Sequence, residues 1–307
     1  MDNSERIEKI NVAEVDNILG KKFPVLDNGF VRVIDYMGSD ESIVQAARVS
    51  YGRGTKKISE DRGLIRYLLR NSHTTPFEMC EIKFHLRVPM DAWRQWIRHR
   101  TANINEYSTR YSIAIDATQK TDPKEWRKQS KDNKQGSEGY IDTESGKKLS
   151  VREIELQDFA RQIYKERLDL GVAREQARKD LPLSTYTEAY WKIDLHNLMH
   201  FLLLRMDSHA QYEIRAYANV IGNEILSKWC PITWEAFKDY SVNSLTFSSL
   251  EIPILKLIIT GKKEEAVCRI EEYGWLKRKD EGNLVKNRER AEFEKKLALL
   301  SLEPPWN

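Results

Sequence analysis

The nine residues from Cys80 to Val88 constrain the fold more than any other stretch. Cys80, Ile82, Phe84, Leu86 and Val88 alternate with Glu81, Lys83, His85 and Arg87, the period of two shown by a strand with one buried face. The pattern then changes at once. From Val88 to Ile97, Pro89 sits at a first-turn position and Met90, Trp93 and Ile97 are spaced as an apolar stripe, which predicts a helix.

The rest of the chain continues to mix the two types. Gly29 to Met37 predicts a second, weaker strand, and Ile58 to Arg70 a helix with Leu64, Ile65, Leu68 and Leu69 on its apolar face. Ser150 and Glu153 make a capping-box pattern, which predicts a helix starting there, carrying Ile154, Ile163 and Leu170 and ending at Gly171. A short helical stretch is expected over Val172 to Leu181, closed by Pro182, and Leu183 to Trp191 has a β-favouring composition. Asp194 is a natural N-cap for an apolar helix to about Met206, and a further helix runs through Tyr212, Ile214, Tyr217, Ile221 and Ile225 to a stop at Pro231.

Two regions stand apart. Asp116 to Lys148 is dense in Lys, Asp, Ser, Gly and Gln, so it reads as a mobile surface insertion without a packed element of its own. Beyond it the expected division is 1–240, a main body containing the 116–148 insertion, and 241–307, an extension with helical patterning over 250–259, 264–273 and 288–302.

A chain of 307 residues with a net charge of +3 is nearly balanced, which disfavours bulk nucleic-acid binding. Cys80, Cys230 and Cys268 form no CxxC pair, which argues against a disulfide framework or cysteine zinc site and fits a reducing cytosol. The charged start MDNSERIEKI lacks the apolar core of a signal peptide, and no run of about 18 apolar residues occurs. The expectation is a soluble, cytoplasmic protein without a membrane partner.

The strongest chemical signal is Arg98-His99-Arg100, seven residues, then Ser108-Thr109-Arg110. Guanidinium forks match phosphate oxygens two at a time, so the three guanidiniums, with the His99 imidazole and the Ser108 hydroxyl, are expected to reach a single phosphate-bearing anion. At helical spacing Gln95, Arg98 and His99 would share a face; the alternative is a basic helix end answering the helix dipole. His196 and His200 also share a face, which raises a metal site, but Asn197 stands where a zinc protease needs Glu, and no metal is expected. Gly52-Arg53-Gly54 lacks the third glycine of a dinucleotide fingerprint, and no P-loop occurs.

The Arg98 to Arg110 pattern matches in full the signature of the flavin-dependent thymidylate synthases: RHR, seven residues, Ser, any residue, Arg. Three further blocks resemble the same family in order and spacing: His73-Thr74-Thr75-Pro76-Phe77-Glu78, Ala177-Arg178-Lys179-Asp180-Leu181-Pro182, and Asp194 through Arg205 to Ser208-His209-Ala210-Gln211. The resemblance covers about residues 28 to 240 and departs from the family at the insertion and the C-terminal extension. It implies an α+β fold of the thymidylate-synthase-complementing type, with a mixed or antiparallel sheet flanked by long helices, assembled as a homotetramer with shared sites. It also implies FAD as cofactor, with NADPH and 5,10-methylenetetrahydrofolate as co-substrates in converting dUMP to dTMP. By position it assigns dUMP to Gln95, Arg98, Glu106, Tyr107, Ser108, Thr109, Arg110, Arg178 and Arg205. The flavin is assigned to Ser50, Thr75, Arg98, His99, Arg100, Glu106, Asp194, His196, His200 and His209.

The chemistry of uracil narrows the catalytic choice. Its carbon 5 is a weak nucleophile, activated either by adding a thiolate at the neighbouring carbon or by a guanidinium that stabilises negative charge on the ring. No cysteine lies in a matched block, whereas Arg205 falls in the apolar stretch Phe201 to Met206, costly to bury unless it faces a ligand or an acid. From the residues alone a catalytic role for Arg205 and a structural pair with Asp207 or Glu213 stand equal; its place in the matched family block makes Arg205 the expected catalytic residue. Ser108 is expected to donate to phosphate rather than act as a nucleophile. Two other functions remain open here: a metal-dependent nucleotide hydrolase using His196 and His200, and a nucleic-acid module using the basic segment from Trp93 to Arg110.

Overall fold

The alternation from Cys80 to Val88 becomes the middle strand of an antiparallel sheet. The computed structural model describes residues 9–49, 58–130, 136–277 and 284–306. Its strands are β1 (Lys22–Val25), β2 (Gly29–Met37), β3 (Glu81–Pro89), β4 (Asn103–Glu106), β5 (Arg127–Gln129), β6 (Ser137–Tyr140) and β7 (Tyr186–Asp194). Five of them form one sheet in the order β1-β2-β3-β7-β4, and β5 and β6 pair by themselves. All the strand pairings are antiparallel.

Main-body helices are α1 (Ala13–Asp16), α2 (Asp40–Val49), α3 (Ile58–Arg70), α4 (Thr75–Glu78), α5 (Met90–Trp96), α6 (Thr143–Asp169), α7 (Arg174–Ala177), α8 (Leu195–Arg205) and α9 (Tyr212–Val220). A wider π turn, Ile221–Leu226, joins α9 to α10 (Ser227–Trp229), and α11 (Pro231–Phe237) follows. The chain separates into two compact units, Met1–Val242 and Asn243–Asn307. Helices α12 (Glu251–Ile259), α13 (Lys263–Glu272) and α14 (Arg288–Leu299) build the second unit. Its core gathers Ile254, Ala266, Ile270, Trp275, Phe293, Leu297 and Trp306. Among the described residues no helix is long and apolar enough to cross a membrane.

One face of the main sheet carries the core. Ile82, Phe84, Leu86 and Val88 of β3 and Ala189, Trp191 and Ile193 of β7 pack with Trp93 and Trp96 of α5, Leu198, Phe201 and Leu202 of α8, and Ile214 and Tyr217 of α9. Full burial of each large side chain contributes about 1.5–3 kcal/mol. A register shift between Val33 and Asp35 changes the phase of β2, so that Val31, Val33 and Tyr36 are buried while Asp35 is exposed. Gly29 is needed where β2 meets α9, because a β-carbon there would run into the Tyr217 hydroxyl and lie 2.7 Å from the Val25 carbonyl oxygen. On the opposite face His85 bonds Glu188 at 2.7 Å and contacts Arg32, while Arg87 bonds the other Glu188 oxygen at 2.7 Å.

The 116–148 stretch corrects the expectation of an unpacked insertion. It holds the β5–β6 pair and the first six residues of α6, a helix of 27 residues that begins at Thr143 rather than Ser150. Asp142 caps it, accepting from Ser145 N–H at 2.8 Å. Ser150 and Glu153 instead bind the insertion: Trp126 Nε1 donates to Ser150 Oγ at 2.9 Å, and Thr121 N–H donates to Glu153 at 2.7 Å. Gln157 adds bonds to Thr118 and Gln119 at 2.8 and 2.9 Å. The segment is thus anchored by hydrogen bonds rather than by apolar burial.

Candidate active site

Helix α8 and the turn after α5 frame the site. Asp194 caps α8, accepting from Asn197 N–H at 2.9 Å while the Asn197 side-chain amide donates back to it at 2.7 Å. Across from α8, helix α5 ends at Trp96, and the N–H groups of Arg98 and His99 bond the carbonyls of Gln95 and Trp96 at 3.3 and 3.0 Å. Arg98 to Arg100 therefore leave in a turn, so the expectation that Gln95, Arg98 and His99 share one face of a continuing helix is corrected.

Between the two lies a cleft of about 300 Å³, lined by Arg98, His99, Arg100 and Thr101 on one side and Asn197, His200, Leu204 and Arg205 on the other, with Ile193 beside them. His99 packs edge-on against Phe201, with ring centroids 4.9 Å apart. Burial, then the neighbouring Arg205 cation and His200, push its pKa down to about 4. A neutral imidazole has one acceptor nitrogen. Arg205 Nε donates to His99 Nε2 at 3.0 Å, which assigns the ring proton to Nδ1.

Burial also lowers the pKa of Arg205, although guanidinium stays charged. Neither carboxylate considered for it is its partner: Asp207 bonds His209 at 2.9 Å, and Glu213 bonds Arg127 at 2.7 Å. A half-buried cation is thus held at Nε by a neutral ring, and its terminal nitrogens bond no described residue. Arg98 and Arg100, both exposed, form no ion pair with a described residue either.

The second half of the arginine motif lies elsewhere. β4 pairs with β7 from Asn103 opposite Lys192 to Glu106 opposite Ala189, placing Arg98 to Thr101 at one end of the strand and Ser108 to Arg110 at the other. At about 3.3 Å per residue, the strand alone separates them by roughly 10 Å. The expectation that all three guanidiniums converge on one anion within a single chain is therefore corrected. At the far end Thr187 Oγ1 donates to Glu106 at 2.9 Å, Tyr107 N–H bonds Glu188 O at 2.8 Å, and Arg178 donates to Thr109 Oγ1 at 2.5 Å. Ser108 Oγ accepts from Arg110 N–H at 3.3 Å, and Arg110 reaches Glu175 at 3.5 Å on an open surface.

The remaining candidates are dispersed. Gln95 donates to Gln211, whose amide donates to Asp91 at 2.8 Å. His196 and His200 line a smaller cavity of about 180 Å³ with His73, Thr74, Phe77 and Met199, and Thr75 opens α4. No group of three or more His, Cys, Asp or Glu among the described residues could hold a metal. His209 is exposed beside Asp207, and Ser50 lies outside the described residues. Asn197 was missed by sequence reasoning; its signal was the Asp-x-x-Asn spacing at a helix start.

Cys80 and Cys230 are wholly buried, and burial raises the Cys230 thiol well above its ordinary range. Cys268 is exposed in the second unit. A thiolate route through this cleft has no donor among the described cysteines.

The sequence model of the family described as thymidylate synthase complementing protein matches residues 32–232, a span that contains every candidate residue. The chain belongs to the flavin-dependent thymidylate synthase family. The flavin-dependent thymidylate synthase of Wolbachia pipientis wMel is 50% identical over 276 residues, covering 89% of this chain and 97% of the relative. That of Ehrlichia ruminantium (strain Gardel) is 51% identical over 259 residues, covering 84% and 87%. Among solved structures, a UMP/dUMP methylase PolB from Streptomyces cacaoi bound with 5-Br dUMP matches with TM-score 0.65 and 32% identity, covering 72% of this chain and 99% of that one. The family match ends before the second unit begins.

Proposed function

We propose that this chain is a flavin-dependent thymidylate synthase whose Arg205 activates the uracil ring of dUMP. The overall reaction takes dUMP, 5,10-methylenetetrahydrofolate, NADPH and a proton to dTMP, tetrahydrofolate and NADP⁺. NADPH supplies two electrons, which is why the folate leaves at the tetrahydro level. Bound FAD supplies the hydride-carrying chemistry.

The observation that carries the reading is the half-buried Arg205 guanidinium, aimed by a neutral His99 and free of any carboxylate partner among the described residues. A cation in that state stabilises negative charge developing on a pyrimidine oxygen, which raises electron density at carbon 5. A carboxylate neighbour would cancel that field. Arg98 and Arg100, at the cleft rim, fit a diphosphate such as that of FAD, because two guanidinium forks match two phosphate groups. His99 and His200 line the same cleft, and Thr75, Glu106, Asp194, His196, His209 and Ser50 are the further flavin contacts proposed on the family resemblance.

Ser108, Thr109, Arg110 and Arg178 are the proposed phosphate holders, with Gln95, Glu106 and Tyr107 beside the nucleoside. The proposed assembly is the homotetramer that the family resemblance implies; the separation of the two arms along β4 supports shared sites, in which the cleft of one copy takes the Ser108 to Arg110 arm of another. The cytoplasm is the proposed location. Purified protein should show flavin absorption bands and release tritium from carbon 5 of labelled dUMP when NADPH and methylenetetrahydrofolate are supplied. A colourless protein that binds oligonucleotides in a salt-dependent way, or one carrying stoichiometric zinc or manganese, would overturn the reading.

A further inference from the structure

We infer that Arg127, on the β5–β6 pair of the insertion, is a positioning residue for the nucleotide site, holding the start of α9 so that Gln211 aims the Gln95 amide. The inference rests on the assignment of Gln95 to dUMP.

Arg127 Nη2 bonds Glu213 Oε1 at 2.7 Å, and its guanidinium lies 5.1 Å from the centre of the Tyr212 ring. Tyr212 and Glu213 are the first two residues of α9, and Gln211 is the residue that precedes them at the helix start. Gln211 in turn bridges the two ends of α5, donating to Asp91 Oδ2 at 2.8 Å and accepting from Gln95. One side chain of the insertion thus grips the turn that orients a proposed substrate-binding amide.

The electrostatics show why a cation is required. Among the described residues, Asp91 Oδ1 and Glu213 Oε2 are both buried without a well-aimed hydrogen-bond partner. Burial raises the Asp91 pKa, hydrogen bonds from the Ala92 backbone and the Gln211 amide draw it back, and the Glu213 charge pushes it up again, so the two carboxylates feel one another. Arg127 is the cation bonded to the Glu213 member of this pair among the described residues. Without it, Glu213 would be a buried carboxylate with no counter-charge beside Asp91, and it would either take up a proton or move. Either response disturbs the Asp91 oxygen that Gln211 uses, and so the direction of Gln95.

The test compares the flavin-loaded full chain with Arg127→Ala, Arg127→Lys, Glu213→Gln, the Arg127→Ala/Glu213→Gln double variant, and Gln95→Ala as reference, with melting curves to establish folding. Losing one well-aimed hydrogen bond predicts a dUMP KM about five- to tenfold higher in Arg127→Ala, with kcat within about twofold and flavin reduction by NADPH unchanged. Arg127→Lys should recover most of the loss. The double variant should recover it too, because a neutral amide in place of the Glu213 carboxylate needs no counter-charge. An unchanged KM in folded Arg127→Ala and Arg127→Lys overturns the inference, as does a double variant no better than Arg127→Ala, which would reduce Arg127 to docking the insertion. If Gln95→Ala itself leaves the dUMP KM unchanged, the assignment of Gln95 falls and the inference falls with it. A raised KM in Gln95→Ala beside a normal Arg127→Ala overturns the positioning role alone.

Discussion

Replacing Arg205 by Lys keeps a positive charge in the cleft but removes the two features that direct it. The Nε–H bond to His99, 3.0 Å long, is lost, and with it the rigid plane that points the terminal nitrogens away from the ring. A primary ammonium has no second donor row and would seek water. One preorganised donor to developing negative charge is worth about 3–4 kcal/mol, so the dUMP-dependent step should slow by roughly 10²–10³-fold. Arg205→Met, which removes the charge as well, should slow it further. His99→Asn leaves the guanidinium but loosens its aim by about the value of one neutral hydrogen bond, predicting roughly a tenfold effect. Tritium release from carbon 5 of labelled dUMP reads the step directly, and anaerobic flavin reduction by NADPH, normalised to bound flavin, is the control that should stay near wild type. The ordering Arg205→Met below Arg205→Lys below His99→Asn is part of the expectation. Tritium release within about threefold of wild type in both Arg205 variants would refute the argument and shift attention to Arg178 or Arg110.

Ser108→Ala should raise the dUMP concentration needed for half-maximal rate by about tenfold or more, the value of a hydrogen bond to a charged group, while turnover at saturation persists; steady-state kinetics decide it, and abolished turnover at saturation would instead make the hydroxyl a nucleophile. Changing Cys80, Cys230 and Cys268 together to Ala should leave NADPH-dependent dTMP formation largely intact in the folded, flavin-loaded protein, with complete loss reviving a thiolate route. His99 predicts a pH effect on stability. Its folded pKa, about 4, lies below its ordinary value of about 6.5, so the unfolded chain takes the proton first and stability falls as pH drops between those values, with no further loss below them. Because the ring is half-buried, solvent screening holds the loss to about 1 kcal/mol, and denaturant titrations from pH 7 to 4 should show a fall in stability smaller by about that amount in His99→Asn than in the wild type, since burial lowers the His85 pKa too.

Where burial is one-sided, the sequence reads well. The alternation of Ile82, Phe84, Leu86 and Val88 against Lys83, His85 and Arg87 survives in the structure because β3 has one face on the core and one in the polar network. The bounds of β2 and α3 also follow their patterns. The insertion misleads for the opposite reason. Ser137 to Tyr140 are all exposed, so they impose no period, and Ser150 and Glu153 resemble a helix start while holding Thr121 and Trp126 from inside α6. At the site, residue types and spacing identify the cationic groups, but separation in sequence carries no direction. Only strand pairing reveals that Arg98 and Arg110 stand at opposite ends of β4.

That strand has an evolutionary consequence. β4 presents only exposed side chains, so its residues can vary in kind with little cost to the core. Its length is another matter. Adding or removing one residue between Arg100 and Ser108 would shift one arm against the other by about 3.3 Å and turn Glu106 to the opposite face of the sheet. Lineages that drift freely in the letters of this segment should therefore hold its number of residues fixed, and a library randomised over 101–105 should yield active members far more often than one carrying a single insertion or deletion there.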